Sequence, residues 1–296
     1  MQTLHTPACN SVERPLLSTR DRNRRVDDCS FDFVHCESCG LIRLANVPAD
    51  LGRYYPADYY ALPSRERLES IARRDPFRIR TVQRFSRPGR LLDIGPAFGT
   101  FAFQAQQAGY TVSAIEMDAR CCTYLREQLG IDAIRSEAPQ EALAQFADQD
   151  VITLWHVIEH LPDPWAVVAT AARSLAPGGI LVVASPNPSA WQFSVMGSAW
   201  PHIDAPRHLY LIPPGVLADF AAMHGLDCVH LSTEDDEARR WNRFGWQRLL
   251  MNMMPGVWTQ RAAFLAGWGL SLLTSPLDRR QGRGSAYTLI LRKHAP

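Results

Sequence analysis

The sequence lacks an excess of charge of either sign. Its 296 residues contain 31 lysines and arginines and 30 aspartates and glutamates, which gives a net charge of +1 at neutral pH. Nucleic-acid-binding domains usually carry a pronounced positive excess, so the balance argues against a nucleic-acid partner. Lysine is almost absent, since Lys293 is the only one, and we attribute this bias to genome composition.

Long apolar runs are also missing. The nearest candidate, AAFLAGWGLSLLTS beginning at Ala262, is shorter than the roughly 18 residues that a membrane-spanning helix needs. The first residues, MQTLHTPACN, contain no charged stretch followed by an apolar one, so we expect no secretory signal and a cytoplasmic location. In that compartment the seven cysteines are expected to be thiols or metal ligands and not disulfides.

Short apolar segments alternate with amphipathic ones from Arg90 onward. We predict seven strands, at RLLDI, YTVSAIE, IDAI, DVITLW, ILVVAS, LDCVHLS and AYTLILRK. Between them the apolar spacing predicts helices, one of which, PDPWAVVATAARSLAPGG, is expected to end at its glycines. DPFRIRTVQRF predicts a helix that leads into this domain. The alternation predicts an α/β fold with a Rossmann-like, seven-stranded, doubly wound sheet.

Two regions depart from this alternation. Residues 1–62 contain four cysteines and the aromatic segment RYYPADYY but little periodicity, which predicts a small, loop-rich, zinc-ribbon-like module ahead of a main domain of residues 63–296. Residues 233–285 have apolar positions at helical spacing, so we expect a helical insertion before the last strand. The insertion contains four tryptophans, Trp241, Trp246, Trp258 and Trp268.

The first predicted strand runs into a glycine turn, LLDIGPAFGTF. In a doubly wound sheet, ligands bind beyond the carboxyl ends of the strands, so this turn is the expected ligand site. A dinucleotide fingerprint would require glycines at positions 95, 97 and 100, whereas the chain has Gly95, Ala97 and Thr100. The turn therefore argues against a nicotinamide-dependent oxidoreductase, which we keep as an alternative function.

The turn resembles the first motif of class I S-adenosylmethionine-dependent methyltransferases, D-x-G-x-x-x-G. The resemblance extends from about residue 88 to 231, through DVITLWHVIEHLPDP, LAPGGILVVASPN and DAPRHLYLIPPGVL, and resumes at the last strand. It implies that S-adenosylmethionine is bound by seven residues, Asp93, Gly95, Ala97, Gly99, Glu116, Met117 and Trp155. In the family analogy Asp93 lies near the amino-acid end of the cofactor, Glu116 binds its ribose hydroxyls and Met117 packs on its adenine.

The segment LWHVIEHL contains H-x-x-E-H, the signature of a class of zinc peptidases. That chemistry requires His156 and His160 one turn apart on a continuous helix, so that both imidazoles reach one metal. DVITLW is predicted to be a strand that runs into His156, and LPDP disrupts a helix after His160. We therefore predict a loop, and a peptidase is disfavoured.

The resemblance places this loop beside the methyl group to be transferred. We expect the acceptor to be a hydroxyl of a sugar, glycan or related small metabolite, whose high pKa makes a base or a metal ion useful. The candidate catalytic residues are His160, Glu159, His156 and His208. Asp204 and Arg207 are further candidate substrate contacts.

Some relatives hold a divalent cation with E-x-x-E-H, and this chain has His156 in place of the first glutamate. The resemblance therefore leaves three interpretations open. Glu159 and His160 can bind a cation in a softer site, or take a direct part in catalysis without a metal. Alternatively, they only brace the loop through hydrogen bonds.

The amino-terminal module contains one intact C-x-x-C pair, Cys36 and Cys39, which directs two thiolates at one metal. It resembles the small zinc-binding region that precedes some methyltransferases of this branch, in which a second C-x-x-C completes the site. Here Cys9 remains, but Val12 stands where the fourth cysteine is expected. A structural zinc would need another ligand, from among His5, Cys29 and His35. The alternative is a decayed site with ordinary packed cysteines.

The insertion has three candidate functions. It can form a lid over the acceptor, a dimer face, or a peripheral membrane contact within residues 241–283 through FLAGWGLSLL, with tryptophan and arginine at the headgroups. We favour the lid. A non-catalytic cofactor-binding scaffold is the second alternative to a methyltransferase enzyme.

Overall fold

The computed structural model of the protein describes residues 5–7, 9, 11–56, 59–280 and 282–295. Residues 1–4 of the amino-terminal start, and Ala57 and Asp58 of RYYPADYY, lie outside the described residues. In chain order the strands are β1 (Glu13–Arg20), β2 (Ser30–Cys36), β3 (Ile42–Leu44), β4 (Arg90–Ile94), β5 (Thr111–Glu116), β6 (Asp132–Arg135), β7 (Gln149–Trp155), β8 (Leu175–Pro186), β9 (Tyr210–Leu211), β10 (Leu226–Ser232) and β11 (Ala286–Lys293). The α-helices are α1 (Arg65–Arg74), α2 (Phe77–Gln83), α3 (Thr100–Gln107), α4 (Ala119–Leu129), α5 (Pro139–Leu143), α6 (Pro164–Ser174), α7 (Trp191–Met196), α8 (Pro214–Ala222), α9 (Asp236–Asn252) and α10 (Val257–Asp278).

Seven strands form one large sheet in the order β10-β11-β8-β7-β4-β5-β6. The five strands from β8 to β6 are parallel to their neighbours, whereas β11 is antiparallel to both β8 and β10. The central strands β4 and β7 are buried on both faces, between two hydrophobic clusters. The predicted seven-stranded Rossmann-like fold is therefore confirmed.

The helices around this sheet mostly begin and end where the sequence indicates. At the start of α4, Asp118 accepts hydrogen bonds from the amides of Arg120 and Cys121, and Gly130 ends the helix in a left-handed conformation. The predicted end of α6 at its glycines is wrong. The chain instead enters β8 at Leu175, because Leu175 already pairs with Gln149 of β7.

The amino-terminal region forms a second sheet, in the order β1-β2-β3-β9. The strands β1 and β2 pair over most of their length, a sheet that the sequence analysis did not predict, and the boundaries of the module stay a prediction. Both strands carry polar residues on an exposed face. The alternation of apolar and polar residues that indicates a strand is therefore limited to the buried Phe31 and Phe33. The fourth strand, β9, comes from the main part of the chain, so this sheet crosses the predicted boundary near residue 62.

A buried ion cluster strengthens the junction between β1 and the loop before β9. Arg207 is fully buried and donates to the carboxylates of Asp21 and Asp204, at 2.6 and 2.8 Å. The hydroxyl of Thr19 donates to the carbonyl of Ser198 at 2.7 Å. Because a buried charge is costly unless paired, these groups hold the two segments together. Arg207 is not accessible to a substrate, and its predicted role as a substrate contact is wrong.

The segment between β10 and β11 is the predicted helical insertion, a hairpin of α9 and α10. The two helices approach closely at Gly267, where a Cβ atom would lie 2.6 Å from the Cα of Gln247. Trp246 is buried in the hairpin and donates its indole N–H to the Thr274 hydroxyl at 2.9 Å. Among the helices of the described residues, none is both long enough and apolar enough to span a bilayer.

Candidate active site

The glycine turn lies between the end of β4 and the start of α3. Gly95 and Gly99 have φ angles of 69° and 80°, a region that favours glycine. Side chains would also clash there, because a Cβ on Gly95 would lie 2.6 Å from Val157 and one on Gly99 would lie 2.5 Å from Leu125. The turn therefore needs both glycines to keep its backbone close to the sheet edge, where a ligand would bind.

Ala97 occupies the centre of this turn in a left-handed conformation, with a φ of 53°. This conformation costs a residue with a Cβ about 1–2 kcal/mol relative to the right-handed region. The amide of Ala97 donates to Glu116 Oε2 at 2.9 Å. That bond joins the turn to the end of the neighbouring strand, β5, and compensates part of the conformational cost.

Glu116 is 3% exposed and ends β5. Its second oxygen, Oε1, accepts a hydrogen bond from the amide of Asp118 at 2.9 Å. Burial raises the pKa of Glu116, and the backbone amides that it accepts from oppose this shift. Each carboxylate oxygen has two acceptor sites, so both can still accept a ribose hydroxyl.

Asp93 lies inside β4, with its carboxyl buried and bonded by the Thr153 hydroxyl at 2.7 Å. Burial raises the pKa of Asp93 to about 7, against the effect of the Thr153 hydrogen bond. Met117 follows Glu116 and is 49% exposed at the same edge. Trp155 ends β7, where its ring contacts Phe101 edge-on. The seven predicted cofactor residues thus lie in three adjacent strands, β5, β4 and β7, directly after β5, or in the glycine turn after β4.

His156 adopts a left-handed conformation, with a φ of 57°, immediately after β7. Its Nε2 lies 3.0 Å from Glu237 Oε1 and its Nδ1 3.5 Å from Glu159 Oε1, while its ring stacks on Trp241 at 3.9 Å. Burial lowers the pKa of His156, but its hydrogen bonds to the two glutamates outweigh burial and raise the pKa overall. These contacts favour a positioning role for His156, which links α9 to the loop after β7 through Glu237 and Trp241. No continuous helix connects it to His160, as predicted.

Glu159, His160 and His208 form a compact cluster whose side-chain ligand atoms lie within 4.8 Å of one another. Glu159 is fully buried, and its Oε2 accepts a hydrogen bond from Ser185 at 3.1 Å. Its Oε1 lies 3.5 Å from Nδ1 of His156, which is a long contact for an ion pair. A carboxylate oxygen has two acceptor sites, so the cluster can still accept a further cationic or proton-bearing group.

The hydrogen bonds of the two histidines fix their tautomers. His160 Nδ1 lies 3.0 Å from the carbonyl of Arg207, and His208 Nδ1 lies 2.8 Å from the carbonyl of His202. Because a carbonyl oxygen only accepts, we assign the proton to Nδ1 in both rings. The hydroxyl of Tyr55, 3.1 Å from His160 Nδ1, then accepts from the same N–H. In the neutral form of such a ring, Nε2 is the nitrogen with the lone pair.

The charge states within the cluster differ. Burial raises the pKa of Glu159, but the hydrogen bond and charge of His156 dominate and lower it to about 2. Burial lowers the pKa of His160, and the nearby His208 adds to this shift, giving about 4. At neutral pH the cluster therefore presents an anionic Glu159 and a neutral His160, which can accept a proton or bind a metal ion.

A cavity of about 610 Å³ opens beside His208. Three regions distant in sequence line it: the amino-terminal sheet and the segment after it, the loop before β9, and α9. The lining residues are Asn23, Arg24, Tyr59, Pro201, Asp204, His208, Trp241, Phe244 and Arg248. The size suits a small molecule. Helix α9 of the insertion forms one wall, and the lid function of the insertion stays a prediction.

Comparisons with known proteins agree with this geometry. A family profile described as "Methyltransferase domain" matches residues 65–231, more than half of the chain. The chain belongs to this methyltransferase family. A ubiquinone biosynthesis O-methyltransferase of Caulobacter sp. is 31% identical over 153 residues, 47% of this chain and 58% of that protein. Another, of Thiobacillus denitrificans, is 32% identical over 154 residues, 48% of this chain and 66% of that protein.

The fold of the methyltransferase domain is shared with solved structures. The crystal structure of a SAM dependent methyltransferase from Archaeoglobus fulgidus matches with a TM-score of 0.51 and 16% identity, covering 76% of this chain and 94% of that one. The predicted resemblance to class I methyltransferases is confirmed. The chain spans less than two thirds of the length of the two curated relatives.

In the amino-terminal region, four side chains that could hold a metal ion lie close together. They are His5, Cys9, Cys36 and Cys39. The sulfurs of Cys9 and Cys36 are 3.8 Å apart, and Cys39 Sγ lies 3.7 Å from His5 Nε2. Tetrahedral zinc, with bonds of about 2.3 Å to sulfur and 2.0–2.1 Å to nitrogen, separates its ligand atoms by about 3.5–3.8 Å. Of the three candidates for the fourth ligand, only His5 belongs to this cluster.

Several residues of the site carry no sequence signal. Arg24 and Arg248 line the cavity, yet they lie far from the methyltransferase motifs. Tyr55 belongs to the aromatic segment RYYPADYY, but nothing in that segment predicts its contact with His160. Glu237 accepts hydrogen bonds from Arg78 and His156 at 2.6 and 3.0 Å, and its position in the insertion gave no reason to expect this. Only the tertiary structure assembles these contacts.

Proposed function

We propose that the chain transfers a methyl group from S-adenosylmethionine to an acceptor hydroxyl in the cavity beside His208. One observation carries the proposal: the cofactor turn with Glu116 and the cluster of Glu159, His160 and His208 lie at the same carboxyl edge of the sheet, next to that cavity. Both of the relatives described above are named O-methyltransferases, which supports oxygen as the atom that is methylated. A sugar, glycan or other small hydroxylated metabolite remains the acceptor class that we propose.

The residues of the chain have distinct tasks in this reaction. When bound, S-adenosylmethionine supplies an electrophilic methyl group on a sulfonium. Glu116 and the turn around Ala97 hold and orient that cofactor. His160, neutral at physiological pH, accepts the proton of the acceptor hydroxyl at Nε2, while its Nδ1–H remains fixed on the Arg207 carbonyl.

The same cluster also fits a divalent cation. Glu159, His160 and His208 form a two-histidine, one-carboxylate set whose ligand atoms lie within 4.8 Å of one another. Both histidines donate Nδ1–H to backbone carbonyls, which is how metal-binding histidines are commonly held. A cation there would lower the pKa of the acceptor hydroxyl, and His160 would then be a ligand and not the base. Loss of methyl transfer on chelation, restored by Mg²⁺ or Mn²⁺, identifies this variant of the mechanism.

Cofactor binding is tested by calorimetry with S-adenosylhomocysteine. We expect binding by the unmodified chain and at least about tenfold weaker binding by Glu116→Gln, because an anionic acceptor of the ribose hydroxyls becomes neutral. Glu127→Gln, an exposed glutamate on α4, is the matched control and should bind like the unmodified chain. Absence of binding by the unmodified chain, or binding of NAD in its place, would overturn the proposal.

The scaffold alternative is separated from an enzyme by labelled methyl transfer. Incubation with S-adenosylmethionine carrying a labelled methyl group and a mixture of hydroxylated metabolites should give a labelled product with the unmodified chain. His160→Ala should give much less product while it still binds S-adenosylhomocysteine. Tight cofactor binding with no transfer to any acceptor would favour the scaffold.

We also propose that His5, Cys9, Cys36 and Cys39 bind a structural zinc ion. A closed set of four protein ligands leaves no position for catalysis, so the metal would stabilise the amino-terminal sheet. Metal analysis of the purified chain should find about one zinc per chain, lost in Cys36→Ser and retained in Cys228→Ser, an exposed cysteine on β10. Retention of zinc in both variants would place the metal elsewhere.

A further inference from the structure

Two guanidinium groups face the acceptor cavity without a carboxylate partner. Arg24 lies over the Tyr59 ring at 4.0 Å and donates to the carbonyl of the same residue at 3.4 Å. Arg248 projects into the cavity from α9. Among the residues that the structure describes, neither has an ion pair within 4.0 Å. Arg24 is exposed and Arg248 is half-buried. Arginine without a carboxylate partner is a usual binding group for phosphate and carboxylate.

Among the residues that the structure describes, Asp204 is the only acid in the cavity wall, and its carboxylate already has hydrogen-bond partners. Asp204 accepts from Arg207 through both oxygens, at 2.8 and 2.9 Å, and from Asn23 at 2.6 Å. Burial lowers the pKa of Arg248, Asp204 opposes this shift, and the charges of Arg24 and Arg25 lower it further. The arginines of the amino-terminal sheet and of α9 are therefore close enough to repel one another, and an anion between them would relieve that repulsion.

We infer that the cavity binds an acceptor that carries a compact anionic group, a phosphate, pyrophosphate or carboxylate, held between Arg24 and Arg248. This inference rests on the proposed function, because it treats the cavity as the acceptor site. The anionic group would lie at the outer end of the cavity, between the two arginines. The hydroxyl to be methylated would lie at the inner end, beside His208 and His160. Each arginine comes from a different part of the chain, so the anion would also fix α9 against the amino-terminal sheet.

The test uses inorganic pyrophosphate as the probe and the full chain saturated with S-adenosylhomocysteine. We expect pyrophosphate to raise the melting temperature, and calorimetry to give an affinity that falls at least about tenfold in Arg24→Gln and in Arg248→Gln. Arg243→Gln is the matched control, because Arg243 is exposed on the same helix, α9, and does not line the cavity. Its pyrophosphate affinity should be unchanged.

The outcomes separate this inference from the proposed function. If S-adenosylhomocysteine binds but pyrophosphate binds neither the unmodified chain nor any variant, or binds all of them equally, the anionic acceptor is wrong and the cofactor assignment stands. If S-adenosylhomocysteine does not bind, the proposed function fails whatever pyrophosphate does. Succinate in place of pyrophosphate distinguishes carboxylate from phosphate recognition, since both are read by the same arginines.

A second inference rests on a different surface, the outer face of α10. This helix buries Ala263 and Gly267 toward α9. It exposes seven large apolar side chains away from α9, of which Trp258 and Leu273 are each 78% exposed. They are Val257, Trp258, Phe264, Leu265, Trp268, Leu272 and Leu273. A patch of this kind on a monomer usually marks an interaction site.

The charge around this face favours a negatively charged partner. Between residues 257 and 277 the sequence of α10 contains one arginine, Arg261, and no aspartate, glutamate or lysine. Arg261 lies beside the patch with its guanidinium 4.8 Å from the Trp258 ring, and Arg279 and Arg280 are exposed at the end of the helix. Asp278, the first acid after this stretch, is 1% exposed.

We infer that this face of α10 lies in the interface of an anionic lipid membrane, with the apolar side chains inserted and the arginines at the headgroups. Of the four tryptophans of the insertion, only Trp258 and Trp268 are placed for this contact. Trp246 is buried and Trp241 stacks on His156. The membrane contact is therefore narrower than the sequence predicted.

Flotation with vesicles tests the contact. The full chain should float with vesicles of phosphatidylcholine mixed with phosphatidylglycerol, and much less with phosphatidylcholine alone. Trp258→Ser with Leu265→Ser should abolish flotation, whereas Met223→Ser with Leu231→Ser, two exposed apolar residues outside the hairpin, should not. Equal flotation of both double variants, or none by the unmodified chain, overturns the inference. A fall in solution mass from dimer to monomer in the first variant, without flotation of the unmodified chain, would assign the face to a second copy.

Discussion

The cofactor side and the acceptor side of the site are built in different ways. On the cofactor side, the turn and the carboxylate that supports it lie within about two dozen residues, from Asp93 to Glu116, and two adjacent parallel strands bring them together. On the acceptor side, the cavity takes its walls from Arg24, Asp204 and Arg248, three segments that are far apart in the chain. The cofactor side therefore depends on local geometry, and the acceptor side on the assembly of the whole molecule.

This difference indicates how specificity can change in such a fold. The turn is constrained by clashes at Gly95 and Gly99 and by the buried Glu116, so few substitutions are tolerated there. The acceptor walls are an added sheet and an inserted hairpin, which can vary without altering the central strands. Four predictions separate the two sides.

The largest expected effect is on the rate of methyl transfer in His160→Ala. Removal of the proposed base should lower kcat by about 10²–10⁴-fold, with little change in S-adenosylhomocysteine affinity, because His160 belongs to the acceptor side. The exposed His294 provides the control variant His294→Ala, which should keep the full rate. Unchanged kcat in His160→Ala would show that neither a base nor a cation at this position matters.

Arg207→Met should disrupt the assembly of the acceptor side. It leaves two buried carboxylates, Asp21 and Asp204, without their cation, so we expect the free energy of unfolding to fall by about 3–5 kcal/mol in urea titrations. Arg239→Met removes the exposed pair with Asp236 and should cost less than about 1 kcal/mol. Where Arg207→Met remains folded, S-adenosylhomocysteine should still bind. Loss of both together would mean that the two sides are not separable.

Asp93→Asn should change the pH dependence of stability on the cofactor side. The pKa of Asp93 is about 7 in the folded chain and about 3.8 as its ordinary value, so its contribution is fully present below about pH 4 and is lost as pH rises through 7. Between about pH 5 and pH 8 the unmodified chain should lose about 3 kcal/mol relative to Asp93→Asn. Urea unfolding at both pH values, with the exposed Asp132→Asn as control, measures this. Parallel pH profiles for Asp93→Asn and the unmodified chain would contradict the assignment.

Ala97→Gly should give the smallest effect. Glycine relieves the left-handed conformation of Ala97, so we expect a gain of about 1 kcal/mol in the free energy of unfolding. The amide that donates to Glu116 is retained, and cofactor affinity should not fall. Ala108→Gly, at a position with a φ of −84°, should bring no gain. A loss of stability in Ala97→Gly equal to that in Ala108→Gly would contradict the strain argument.

The sequence alone determined the sheet, the glycine turn and the family, because strand periodicity, helix caps and turn chemistry act over a few residues. It also determined that H-x-x-E-H is not a peptidase site, since a strand and two prolines flank it. It did not reveal the amino-terminal sheet, whose strands β1 and β2 bury few apolar residues and whose last strand, β9, comes from far along the chain.

Only the tertiary structure decided which side chains meet. It selected His5 as the fourth member of the cysteine cluster, paired Arg207 with Asp21, and fixed Nδ1 of His160 and of His208 on backbone carbonyls. It also turned one face of α10 outward. Contacts of this kind depend on the packing of distant segments, whose free energy is summed over the whole core and leaves no pattern in any short stretch of sequence.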